Sequence, residues 1–187
     1  MLENVVQSED GAHRYLLRRQ VSGEPGSVLV IIHHPTLDDA DTDPITARIV
    51  ELAAGWPGIG TVYIASRFSL RRATDDGLWD GDPVNTEDSL PYIMACASEI
   101  DAATRAAWSD AEDAENFAGV VLAWGAIDAP ESDDAAQRSM SVATATLMRA
   151  LIQGEIELDV LGYDPVSGSP LSPTDIQGDI VERTPYE

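Results

Sequence analysis

His33 and His34 stand at the end of the short apolar run Val28–Ile32, followed by Pro35, Thr36 and then Asp38, Asp39, Asp41 and Asp43. Imidazole titrates near neutrality and carboxylates are ionised there. The cluster therefore suits proton transfer, ligand contact or capture of a divalent cation. Side chains alternate along an extended chain, so only one of the two histidines can face a given cleft. The plain structural alternative is one cleft-facing polar residue beside a loop of solvated aspartates.

Further along, Arg71 and Arg72 lie on a long polar segment between Arg67 and Asp88. Paired arginines there suit an anion such as a phosphate, with pairing to surface aspartates as the alternative. Thr74 and Asp75 follow and can orient that loop through turn hydrogen bonds. Trp124 precedes Gly125, offering a flat surface together with close backbone approach. Burial in the core is the competing role for Trp124, and Tyr163 carries the same two readings. The chain has no Walker loop, GxGxxG, GxSxG, HExxH or CxxC, so no motif dictates a reaction, and no cofactor or metal is assigned.

These residues need elements to hold them. Val28–Ile32, Thr61–Ala65, Gly119–Trp124 and Glu157–Leu161 are short, apolar and bounded by turn residues, which predicts four buried strands. Asp43 followed by Pro44 predicts a helix cap, with Ile45, Ile49, Leu52 and Trp56 at helical spacing behind it. Further helices are expected from about Leu90 to Ala107 and from Gln137 to Ile152, and a mostly irregular tail from Gly162. Strands alternating with helices imply one α/β domain, a mainly parallel sheet of four or five strands covered by helices on both faces. Ligands of such sheets sit beyond the carboxyl ends of the strands. Here those ends are His33–Thr36, Ser66–Phe68, Trp124–Gly125 and Gly162–Asp164.

Charge sets the surroundings. There are 33 acidic against 11 basic residues, all arginine, for a formal net charge of −22. An acidic, lysine-free surface suits molar salt, where screening within about 3 Å relieves self-repulsion. A halophilic cell or its virus, a GC-rich genome, and an acidic mimic of DNA are the three sources that fit. The field disfavours non-specific DNA binding at low salt. The chain has neither a membrane-length apolar run nor an apolar N-terminal leader, which points to the cytoplasm. Its single cysteine, Cys96, excludes an internal disulfide.

Five blocks in order carry a family resemblance. Val30–Ile45 (VIIHHPTLDDADTDPI) resembles the opening motif of the domain-of-unknown-function family numbered 1643, a strand, then Leu-Asn-Pro-Ser-Thr-Ala-Asp, then Asp-Pro-Thr-Ile. Phe68–Asp75 (FSLRRATD), Asp82-Pro-Val84 with Glu87-Asp88, Trp124-Gly125, and Leu161-Gly162 with Gly168 and Pro170 are similar to later blocks. The resemblance spans about Arg14 to Pro173. The opening loop is also similar to the Asn-Pro loop of uracil-DNA-glycosylase-like proteins. The resemblance selects His34, which stands at the motif's Asn beside Pro35, and Asp39, at its Asp, as the polar chemistry. His34 and Thr36 depart from the family's Asn and Ser, and Asp164–Gly168 from its Thr-Lys-Asp-Gly-His, so a retuned site and a lost one both fit.

The first expectation is a protein that binds, or acts on, a nucleotide, nucleobase or nucleic-acid end at the strand-end cleft. His34 and Asp39 supply polar chemistry, Arg71 and Arg72 the anion clamp, Pro35 and Thr36 loop contacts, and Trp124 the stacking surface. The rival classes are a non-catalytic binding or virus-associated structural protein that engages a protein partner, and an acidic inhibitor of a nucleic-acid-binding protein.

Overall fold

In the run Gly26–Ile32, Val28, Val30 and Ile32 point to one side and Leu29 and Ile31 to the other, and all five are buried. A strand apolar on both faces belongs in the middle of a covered sheet. The computed structural model describes residues 5–37, 43–74, 76–80, 86–108, 119–126, 134–177 and 183–186. Its elements run β1 (Val5–Gln7), β2 (Arg14–Gln20), β3 (Gly26–Ile32), α1 (Pro44–Ala54), β4 (Ile59–Ser66), α2 (Thr86–Trp108), β5 (Val120–Leu122), α3 (Asp134–Gln153), β6 (Leu158–Val160) and β7 (Thr184–Pro185). Short 3-10 turns lie at Asp76–Asp80 and Pro173–Asp175.

The sheet has seven strands in the order β1-β2-β4-β3-β5-β6-β7. The four strands expected from the sequence are β3, β4, β5 and β6, and they pair parallel. The expectation of a mainly parallel sheet of four or five strands is corrected, because β1, β2 and β7 add three antiparallel pairings and make the sheet mixed. These antiparallel strands flank the parallel core, with β1 and β7 at the sheet edges and β2 between β1 and β4. In β2, RYLLRRQ, the paired arginines interrupt the apolar run although Tyr15 and Leu17 are buried. In β7 only two residues pair, both exposed.

The α1 side of the sheet packs Ile49, Leu52, Ala53 and Trp56 on Val28, Val30, Ile32 and Val121. The opposite side packs Ile93, Ala97 and Ile100 of α2 and Leu147 and Leu151 of α3 on Leu29, Ile31 and Leu122. Burying each such side chain contributes about 1.5–3 kcal/mol, so two stripes on one strand fix its register firmly. As its spacing predicts, Asp43 caps α1, accepting from Ile45 N at 3.0 Å and from the Thr46 hydroxyl at 2.7 Å. Arg14 of β2 reaches the same buried carboxylate at 3.5 Å.

Close approach of backbones explains Gly60 in β4, where an added Cβ would fall on the Glu24 carbonyl. Gly60→Ala is expected to lower stability by at least about 1–3 kcal/mol, measured by urea unfolding, because backbone cannot step aside as a side chain can. A cost near zero would show that the Glu24 turn yields.

From β3 the chain crosses through α1 to β4 on one side, then returns through α2 to β5 on the other. That reversal puts the topological switch point of the sheet at the carboxyl ends of β3 and β5, the place where open α/β sheets take ligands. His33–Thr36 and Ala123–Gly125 stand there.

Candidate functional site at the strand ends

Three strand ends are tied together by backbone bonds that extend the sheet. Arg67 N donates to Ile32 O at 2.8 Å, Phe68 N to His33 O at 2.9 Å, and Ala123 N to Ile31 O at 2.8 Å. Gly125, with φ at 78°, then donates to Pro170 O at 2.9 Å. This scaffold brings His33 against Arg67, whose Nη2 donates to His33 Nδ1 at 2.6 Å. Arg67 Nη1 also donates to the Thr144 hydroxyl of α3 at 3.3 Å, and its guanidinium lies 5.4 Å from both the Phe68 and Trp124 rings.

Burial, then the charge of Arg67 and then His34, push the His33 pKa down to about 2. The ring is neutral at ordinary pH and, with Nδ1 accepting, carries its proton on Nε2. That Nε2 is buried without a hydrogen-bond partner among the described residues, and so is the Thr36 hydroxyl three residues later. Buried polar atoms left unsatisfied cost about 1–3 kcal/mol each and are uncommon. In His34, by contrast, Nδ1 is a donor, to Pro35 O at 3.0 Å.

The two histidine rings meet edge to face at 5.4 Å. Regular pairing of β3 ends at Ile32, just before this pair. Pro35 is buried and its carbonyl also accepts from Arg72 N at 3.2 Å. Arg71 donates to the carbonyls of Thr36 at 3.3 Å, Gly11 at 3.4 Å and Leu37 at 2.8 Å. Arg72 donates to Gly77 O at 2.8 Å and Arg71 O at 2.9 Å. These donors satisfy loop carbonyls that have no sheet partner, so the pair staples the rim. Thr74 is exposed, its carbonyl accepting from Gly77 N at 3.2 Å. Trp124 is buried against Arg67. Tyr163 is partly exposed with its ring 6.3 Å from that of Tyr186, beyond the end of β6. Asp39 and Asp75 lie outside the described residues.

Sequence reasoning passed over Arg67 as a site residue. The available signal was its position as the first residue past β4, on the same rim as His33. Nearby, Ser69 Oγ lies 2.9 Å from His13 Nδ1, but Asp10 gives its carboxylate to Ser8 and Ala12 N, so no Ser-His-Asp relay forms from these three. Among the described residues no group of three His, Cys, Asp or Glu is placed to hold a metal ion. Nor is any described helix long and apolar enough to cross a membrane.

A cavity of about 730 Å³ opens at the opposite end of the parallel strands, lined by Gly26, Ile59, Tyr63, Tyr92, Cys96 and Ile100 among others. Burial, then Glu99, raise its Cys96 thiol to about 12, so the thiol stays protonated and unreactive. The polar side chains that meet one another gather at the strand-end rim.

The model of a family described as protein of unknown function (DUF1643) matches residues 14–155. That stretch contains His33–Thr36, Arg67–Arg72 and Trp124, while Tyr163 and the block at Leu161–Pro170 fall beyond it. No curated protein and no solved structure matches the chain.

Proposed function

The chain belongs to the DUF1643 family, and from that premise we propose that it binds a nucleotide, nucleobase or nucleic-acid end in the crevice between the carboxyl ends of β3 and β5. The observation that carries this reading is the pair of buried polar atoms, His33 Nε2 and Thr36 Oγ1, that find no partner among the described residues. A ligand oxygen or nitrogen there recovers what their desolvation costs. Trp124 and Phe68, both buried, hold the Arg67 guanidinium against His33 behind these two atoms. His34, whose Nδ1 donates to Pro35 O, stands beside the same two atoms with its ring edge to face against His33.

Thermal unfolding in about 1 M KCl, where surface charges are screened beyond roughly 3 Å, tests the reading against nucleobases, nucleosides, nucleotides and short DNA. A ligand at 100 times its dissociation constant adds about 2.7 kcal/mol, a rise of about 5–10 °C in a domain of this size. The shift is expected from one ligand class and is expected to vanish in Arg67→Met. A folded protein that responds to none of them favours the non-catalytic scaffold instead.

A further inference from the structure

Resting on that reading, we propose that His33 is the specificity-determining residue of the crevice, a hydrogen-bond donor of fixed direction that selects an oxo-bearing nucleobase over its amino counterpart, with Arg67 as the positioning residue. A neutral imidazole has one N–H and one lone pair, and a guanidinium only donates. Arg67 Nη2 at 2.6 Å from His33 Nδ1 therefore assigns the lone pair to Nδ1 and the hydrogen to Nε2. Reversing the tautomer sets N–H against N–H.

Arg67 cannot easily turn aside to allow that reversal. It is held by the Thr144 hydroxyl of α3 and lies against Phe68 and Trp124, which belong to two different strand ends. His33 is itself wedged edge-on between Phe68 at 5.2 Å and His34 at 5.4 Å. A hydroxyl or an amide in this place adapts to donor or acceptor by rotation; this ring does not.

The ligand that satisfies Nε2 must bring an acceptor. The ring is uncharged and set among aromatic side chains, and Arg67 commits donors to His33 and Thr144. Those surroundings match the neutral carbonyl of a base better than a phosphate, which calls for charge and several free donors. An exocyclic amino group at the same point puts two donors face to face. Sites built on a buried hydrogen bond reject partners that cannot complete it, here by about ten- to a hundredfold.

Two measurements on the intact chain decide it. Long-range ¹H–¹⁵N correlation spectra of histidine-labelled protein read the tautomer directly. The His33 pattern is expected to show protonated Nε2 and bare Nδ1 in the wild type, and to lose that fixation in Arg67→Met. Calorimetric titration of inosine against adenosine, and of uridine against cytidine, reads the selection. The oxo member of each pair is expected to bind about ten- to a hundredfold tighter, with the ratio falling towards one in His33→Gln, whose amide turns to suit either partner. Inorganic phosphate serves as a third arm and is expected not to compete. Binding without oxo preference, competition by phosphate, or a proton on His33 Nδ1 overturns this proposal and leaves the ligand site standing. Absence of binding by every nucleoside and nucleotide overturns the ligand site, and the proposal with it.

Discussion

Replacing His33 by glutamine will flatten the acid limb of the stability profile. The folded His33 has a pKa of about 2 against an ordinary 6.5. As pH falls below about 6.5, the unfolded chain takes up a proton that the native state refuses until about pH 2. The unfolded state then binds more protons, so stability rises with pH through that window and is lost as pH falls. Each pH unit below the unfolded value costs about 1.4 kcal/mol from this one group. Between pH 6 and pH 4.5 the wild type should therefore lose about 2 kcal/mol that the glutamine variant keeps. The many carboxylates titrate in both proteins, and their contribution cancels in the comparison. Urea unfolding of both at pH 7.5, 6 and 4.5, in high salt, measures the difference of differences. Parallel profiles would show that His33 is protonated in the native state, which contradicts its burial against Arg67.

A larger loss is expected from Arg183→Met. Arg183 and Asp159 are almost wholly buried, with Nη1 and Oδ2 3.9 Å apart, and the guanidinium lies 4.9 Å from the Trp56 ring. Burial draws the Arg183 pKa down, and the Asp159 carboxylate counters it. Removing the arginine leaves a buried carboxylate without its cation, a change that costs about 3–5 kcal/mol. In a domain of this size that lowers the melting temperature by about 6–20 °C. Arg183 also directly precedes β7, whose pairing with β6 fastens the C-terminal segment to the sheet. The double variant Arg183→Met/Asp159→Asn should recover much of the loss, since the charge goes with its partner. A single variant no worse than an exposed substitution would mean that Asp159 is satisfied by other groups.

How much of this was legible in the sequence follows from what each feature needs. Val28–Ile32 and its three parallel companions announce themselves because strands covered on both faces must be apolar throughout. Asp43–Pro44 announces the start of α1, because a cap is a local device. The antiparallel flanks were not legible. In β2 the arginines at both ends of the apolar run mask the pattern, while three residues in β1 and two in β7 are too few to show one.

The rim of strand ends was legible from topology, since four recognisable strands imply where their carboxyl ends gather. The assignment of roles along it was not. That Arg71 and Arg72 give their donors to loop carbonyls depends on where Gly11, Thr36, Leu37 and Gly77 fall in space. That His33 is a locked donor depends on a contact 34 residues away in the chain. Neither leaves a mark in residue spacing.

The most direct test of the ligand site is a crystal structure of the protein, grown from high salt, with the ligand that most raises its melting temperature. The ligand is expected in the crevice between β3 and β5, with an oxygen about 2.7–3.2 Å from His33 Nε2 and its ring beside Trp124 and Arg67. A ligand seated instead in the cavity lined by Tyr63, Tyr92 and Cys96, or an ordered water on Nε2 with the ligand elsewhere, would contradict the account.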